Sequence, residues 1–376
     1  MSKLLAEFIN DIAEEIETGK SKSSTVRIAV TNLDSELGAD NVNKAMESFK
    51  DVEFTVVGTP YKDYNCVEAS NDEEVAEALE HLFNEGKIDA AVAMHYPFPI
   101  GVSTVGRTVT PAMGKEVYIA TTTGTTHMKR DIAMVLNTIN GIIAAKANGI
   151  EHPTVGILNI EAARIVEKKL NELKENGFEI NFAESKRADG GAVLRGNDLV
   201  AGTCDVVVMD SLTGNVLIKT FASFTSGGFF ETAGFGYGPG LGEGYHTPVF
   251  IISRASGTPV VRNAIQYAVE SVRGNLVEVS KKVYADAKKA GLEEILASMD
   301  KKEEKAEAAV TAPPKEVVTA QIPGIDILEM DTAVQSLWKE GIYAESAMGC
   351  TGPIVLISEA NKEKAAEILT KAGLIA

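Results

Sequence analysis

The sequence predicts an α/β fold: a mostly parallel sheet covered by helices on both faces, with a small α/β domain tethered behind it. Short apolar runs alternate with longer stretches of helical periodicity over residues 25–298, the pattern of strands buried on both faces. Hydrophobic residues make up 45% of the 376, enough for a sizeable core. Residues 299–316, "MDKKEEKAEAAVTAPPKE", then break the rhythm with charge, alanine and the pair Pro313 and Pro314. They offer almost nothing to bury and read as a flexible linker, spanning roughly 25 Å root-mean-square.

In chain order, residues 1–24 begin "MSKLLAEFINDIAEEIETGK". Leu4, Leu5, Phe8, Ile9, Ile12 and Ile16 share one face of an amphipathic helix among acids, unlike a basic signal peptide. Strand "VRIAV" precedes helix "NVNKAMESF"; "EFTVVG" precedes helix "DEEVAEALEHLFNEG"; "IDAAVAM" follows. After "VYIAT" comes a long helix from about Lys129 to Asn148, then "TVGILNI", helix "ARIVEKKLNELKENG", "EINFAES" and "CDVVVMD". The glycine-dense stretch "SGGFFETAGFGYGPGLGEGYHTP" has neither GxxxxGK[ST] order nor GxGxxG at the start of a βαβ unit, and reads as a lid or acyl-pocket wall. Strand "VFIIS" and a helical stretch to about Leu296 close the large domain. Residues 317–376 supply strand "VVTAQI", helix "DTAVQSLWKEG", a segment holding Cys350, strand "IVLIS" and helix "NKEKAAEILTKAG".

A formal charge of −17, from 53 acidic against 36 basic residues, repels phosphate-rich surfaces and argues against nucleic acid or an anionic membrane as partner. No run approaches the roughly 18 apolar residues of a membrane span. Cys66, Cys204 and Cys350 form no CxxC pair, no disulfide framework and no zinc spacing, so no metal is expected and reduced thiols in a cytoplasm are. Cys66 and Cys204 read as structural.

Three stretches could carry chemistry. Gly349-Cys350-Thr351-Gly352 could aim backbone N–H groups at a thiolate or an oxyanion, since glycine permits the alternating conformations of an anion nest; it could equally hold a small buried thiol in a turn. Residues 209–220, "MDSLTGNVLIKT", end a strand at Asp210 and start a helix, where Gly214, Asn215 and Lys219 could meet an acyl oxygen or phosphate. An ordinary strand-to-helix connection is the alternative. Residues 121–130, "TTTGTTHMKR", cluster Thr123, Thr125, Thr126, Lys129 and Arg130 at a helix start, as an oxyanion site needs and as a plain capping loop also would.

Two of these regions carry a resemblance. "INGIIAAKANGIEHPTVGILNI" and "GNDLVAGTCDVVVMDSLTGNVLIKT" resemble the PlsX phosphate acyltransferases of phospholipid synthesis over roughly residues 25–285, a family that shares the isocitrate dehydrogenase and phosphotransacetylase fold. With "ESAMGCTGP" on the tethered domain, the whole chain resembles the component C alpha subunits of glycine/sarcosine/betaine reductase complexes. The resemblance implies an enzyme with no cofactor and inorganic phosphate as substrate. A carboxymethyl group arrives on selenoprotein A, an acetyl thioester forms on a cysteine matching Cys350, and phosphate releases acetyl phosphate, alongside a ketoacyl-synthase-like beta subunit. Thr351 and Gly352 are then oxyanion candidates. The chain departs from the phosphate acyltransferases in two loops: "HYPFPIG" replaces Ser-Ala-Gly-Asn-Thr-Gly, and "SRASGT" lacks the family's histidine. Both departures fit a smaller acyl group than one on an acyl carrier protein. The alternatives are a PlsX-type acyl-carrier-protein:phosphate acyltransferase and a non-catalytic scaffold subunit.

Overall fold

The computed structural model describes residues 25–186, 191–300, 310–323, 325, 330–349, 352–372, 374 and 375. The helix expected over 1–24, Cys350, Thr351 and residues 301–309 of the linker lie outside the described residues. The chain divides into two compact units, residues 1–301 and 302–376.

In the first unit β1 (Val26–Thr31) and α1 (Ala39–Met46) precede β2 (Val52–Gly58), β3 (Asn65–Glu68), α2 (Asp72–Asn84) and β4 (Ala90–Ala93). β5 (Val102–Val109) and β6 (Glu116–Thr125) lead to the long helix α3 (Arg130–Ala147). Then come β7 (Thr154–Leu158), α4 (Ala163–Glu175), β8 (Asn181–Phe182), β9 (Val193–Leu194), α5 (Gly196–Ala201), β10 (Val206–Val208) and α6 (Ser211–Ser223). β11 (Gly238–Leu241), β12 (Val249–Ile251), α7 (Thr258–Arg273), α8 (Leu276–Lys289) and α9 (Leu292–Asp300) complete the unit. α9 runs two residues into the stretch read as linker.

The strands join in one sheet of order β3-β2-β1-β4-β12-β11-β5-β6-β10-β7-β8, with β9 also on β7. Most pairs are parallel, as the alternation of apolar runs and helices predicts. The steps β12 to β11, β11 to β5 and β5 to β6 are antiparallel. The sheet is thereby turned over at its middle, and its two outer parallel sets run in opposite senses. Side chains alternate between faces: Ile28, Val30, Val56, Val92 and Val208 enter a core beneath α1, α3, α7 and α8, while Ala29, Val57, Ala91 and Val207 meet α2 and α6. α3 is buried on nearly every side and hydrogen-bonds the sheet through two buried amides. Asn137 Nδ2 donates to the Met209 carbonyl (3.2 Å) and Asn140 Nδ2 to the Leu241 carbonyl (2.9 Å). No helix among the described residues is long and apolar enough to cross a membrane.

β5 and β11 were not legible as strands. β11 lies inside the glycine-dense stretch read as a lid or acyl-pocket wall, yet Tyr237–Gly242 are buried at the centre of the sheet. Gly238 explains the composition: a Cβ there would stand 1.7 Å from the Val105 carbonyl oxygen. At Gly238 and Gly242 the glycine is needed because two backbones touch.

The second unit holds β13 (Ala320–Pro323), α10 (Met330–Lys339), β14 (Ala344–Gly349), β15 (Gly352–Ile357) and α11 (Lys362–Lys371). Its sheet is antiparallel, in the order β13-β15-β14, over a core that includes Leu337, Val355, Ile357 and Leu369. The segment before Cys350 is thus a strand rather than a loop, paired with β15 down to Gly349 opposite Gly352.

Candidate functional site

A cleft of about 320 Å³ opens where the two parallel sets of the sheet meet, lined by Thr123, Asn215, Lys219 and Tyr237 on one side and by His95, Ser253 and Arg254 on the other, with Glu36 at its edge. Three sequence-predicted residues from two separate stretches therefore share one wall. The opposite wall was not foreseen.

The first wall is set by α6. The Asp210 carboxylate caps the helix, accepting from the Thr213 N–H (3.0 Å) and hydroxyl (2.7 Å). Gly214 lets the helix lie against β6, because a Cβ there would fall 1.8 Å from the Thr121 carbonyl oxygen. Gly214 is thus a packing residue. At the next residue, Asn215 Nδ2 donates to the Thr122 carbonyl (3.0 Å), fixing its amide at the cleft. The Lys219 ammonium sits 5.3 Å from the centroid of the Tyr237 ring, and no carboxylate among the described residues pairs with it. Burial, and after it the adjacent Glu231 carboxylate, push the Tyr237 phenol far above its ordinary range, so it stays protonated.

The threonine run splits. Thr123 reaches the cleft, its hydroxyl 2.9 Å from that of Thr104. Thr121, Thr122 and Thr126 are buried and their hydroxyls are used internally: Thr122 Oγ1 donates to the Tyr237 carbonyl (2.7 Å), and Thr126 Oγ1 to Asn137 Oδ1 (3.0 Å). Thr125 is exposed and does not line the cleft. Nor do Lys129 and Arg130. Lys129 Nζ bonds Asp300 Oδ1 (3.0 Å) and the Asp300 carbonyl (2.8 Å), and its hydrogen bond holds the Asp300 carboxyl below its usual range. Arg130 pairs with Glu161 at 2.7 Å.

The second wall comes from the residues that directly follow two buried strands, Met94 and His95 after β4, and Ser253 and Arg254 after β12. Both segments, "HYPFPIG" and "SRASGT", are the loops that depart from the phosphate acyltransferase pattern. The available signal was their position at the carboxyl ends of "IDAAVAM" and "VFIIS", where ligands of α/β sheets gather. Arg254 reaches Asp72 (3.1 Å) and Asp34 (3.5 Å) at the rim, and its carbonyl accepts from the Glu36 N–H (2.9 Å). Lysine, arginine, amide and hydroxyl donors facing one small cleft can hold an oxyanion.

Cys204 is fully buried two residues before β10, its thiol pushed up to about 12 by burial, with the Asp205 charge adding to the effect. The thiol of the half-buried Cys66 is also raised by burial. No group of His, Cys, Asp and Glu among the described residues could hold a metal. A larger cavity of about 610 Å³, near Lys146, His152 and Glu179, contains none of the predicted site residues.

A family model described as "Fatty acid synthesis protein" matches residues 26–356. The glycine/sarcosine/betaine reductase complex component C subunit alpha of Peptoclostridium acidaminophilum is 50% identical over 383 residues, covering 100% of this chain and 99% of that protein. A phosphate acyltransferase of Lysinibacillus sphaericus is 28% identical over 44% of this chain and 52% of its own. The EutD phosphotransacetylase structure from Staphylococcus aureus covers 72% of this chain and 98% of its own at 12% identity and a TM-score of 0.43. The family match over most of the chain and the full-length identity agree: this chain belongs to the fatty acid synthesis protein family, among the component C alpha subunits of glycine/sarcosine/betaine reductase complexes.

Proposed function

We propose that this chain transfers an acetyl group from a thioester on Cys350 to inorganic phosphate held in the cleft, releasing acetyl phosphate within a glycine reductase complex. A phosphate oxygen attacks the thioester carbonyl carbon, a tetrahedral oxyanion forms, the C–S bond breaks, and the Cys350 thiolate leaves. A thiolate leaves without a strong general acid, so the step asks mainly for positioned donors. Lys219, Arg254, Asn215 and Thr123 hold the phosphate, with Thr351 and Gly352 candidates for the oxyanion. The thioester arises upstream, from a carboxymethyl group delivered by selenoprotein A together with the ketoacyl-synthase-like beta subunit.

The convergence of Thr123, Asn215 and Lys219 with Arg254 in one cleft carries this reading. Its volume of about 320 Å³, near the lower end for ligand pockets, suits phosphate and a two-carbon acyl group better than a long chain. The test is acetyl phosphate release by the assembled complex. Cys350→Ala abolishes it, and Lys219→Ala raises the KM for phosphate about tenfold, the scale of one charge-assisted hydrogen bond. Undiminished turnover of Cys350→Ala overturns the thiol assignment, and an unchanged KM in Lys219→Ala overturns the cleft.

A further inference from the structure

Among the described residues two carboxylates are almost wholly buried, Asp198 and Glu231, each 3% exposed. Asp198 has a local task. It closes the first turn of α5, accepting from the Ser185 hydroxyl and the Arg195 and Lys186 N–H groups. Glu231 has no such cap to serve, and no lysine or arginine among the described residues pairs with it. A carboxylate taken out of water without a cation is costly unless its hydrogen bonds are made.

Its hydrogen bonds lead to both walls of the cleft. Glu231 Oε1 accepts from the Tyr237 hydroxyl (2.5 Å), and Tyr237 carries the ring over which Lys219 sits. Glu231 Oε2 accepts from the Ser256 hydroxyl (2.6 Å). Ser256 in turn closes the turn that presents Ser253 and Arg254: the Ser253 N–H donates to Ser256 Oγ (3.0 Å). The backbone repeats the connection, with the Glu231 N–H donating to the Ala255 carbonyl (2.9 Å) and the Gly257 N–H to the Glu231 carbonyl (2.8 Å).

We propose that Glu231 is a positioning residue for the anion subsite, fixing Lys219 through Tyr237 and Arg254 through Ser256 from behind the cleft. This rests on the reading of the cleft as a phosphate site. A carboxylate accepting from the phenol also polarises it, enriching the ring face on which the ammonium rests. Glu231 touches no substrate. Its effect is to fix, from behind, the parts of the two walls that carry Lys219 and Arg254.

The test uses the full-length chain and inorganic phosphate, with binding followed by phosphorus NMR line width and KM and kcat taken in the assembled complex. Glu231→Gln keeps the shape and removes the charge; Tyr237→Phe keeps the ring and removes the hydroxyl. Each is expected to weaken phosphate binding and raise its KM about three- to tenfold while kcat at saturating phosphate stays within about twofold. The double variant should be no worse than the more affected single one, because both cut the same connection. Phosphate bound by wild type and equally by Glu231→Gln overturns the inference, as does simple addition of the two effects. If Glu231→Gln does not fold, unchanged affinity in Tyr237→Phe overturns it. A wild-type chain that binds no phosphate overturns the phosphate reading itself, and the inference with it.

Discussion

Cys204 and Lys219 stand fifteen residues apart on the chain and illustrate how burial sorts chemistry at the residue scale. The Cys204 thiol faces the sheet interior, 3.2 Å from the Val206 carbonyl, and its pKa rises from 9.0 to about 12. Well below pH 9 the thiol stays protonated in both folded and unfolded chain. Between about 9 and 12 the unfolded chain gives up the proton while the folded one keeps it, so this group's contribution to stability falls as pH rises. Cys204→Ala should flatten that alkaline decline in urea-melt stability, and native Cys204 should resist iodoacetamide at pH 8. Rapid alkylation of native Cys204 would contradict its placement. The buried character of Cys204 was readable from the apolar run after it. The fate of the threonines was not, since Thr122 and Thr123 are neighbours that both bond the Thr104 hydroxyl, and only the irregular register of β5 against β6 leaves Thr123 at the cleft.

At the scale of elements, α6 was the most legible part of the site because strand, cap, glycine and lysine follow one another in sequence. Its closeness to β6 gives a sharp expectation. Gly214→Ala places a methyl 1.8 Å from a backbone oxygen, so α6 must shift and stability should drop by about 3 kcal/mol, read from urea unfolding. A loss below about 0.5 kcal/mol would mean that the helix does not lie so close. The opposite wall stayed hidden because "HYPFPIG" and "SRASGT" carry no periodicity, and long-range register alone brings them beside α6. β11 and β14 were missed for a related reason. "GPGL" and "AESAMG" hold few β-branched or aromatic residues, so their strand state comes from pairing partners rather than from local preference.

Taken as a whole molecule, the chain sets its proposed phosphate site in one unit and its proposed acyl-carrying cysteine in another. If one thiol serves both a partner subunit and the cleft, the low-complexity stretch between the units sets how readily it does so. Deleting much of residues 301–314 should slow acetyl phosphate formation while each unit still melts cooperatively; unchanged kinetics would argue for a thiol that does not travel. The overall α/β class was plain from the rhythm of apolar runs. The reversal in the middle of the large sheet was not, because handedness between distant strands leaves no mark on local composition. That reversal has a consequence for biosynthesis. The last strands of the sheet to be made, β11 and β12, fill the gap between β4 and β5. A nascent chain therefore carries two half-sheets with open edges, a liability for mispairing, until residues 238–251 emerge. Sealing that gap and creating the cleft are one event, so a chain arrested before Val249 has neither a closed sheet nor a place for its anion.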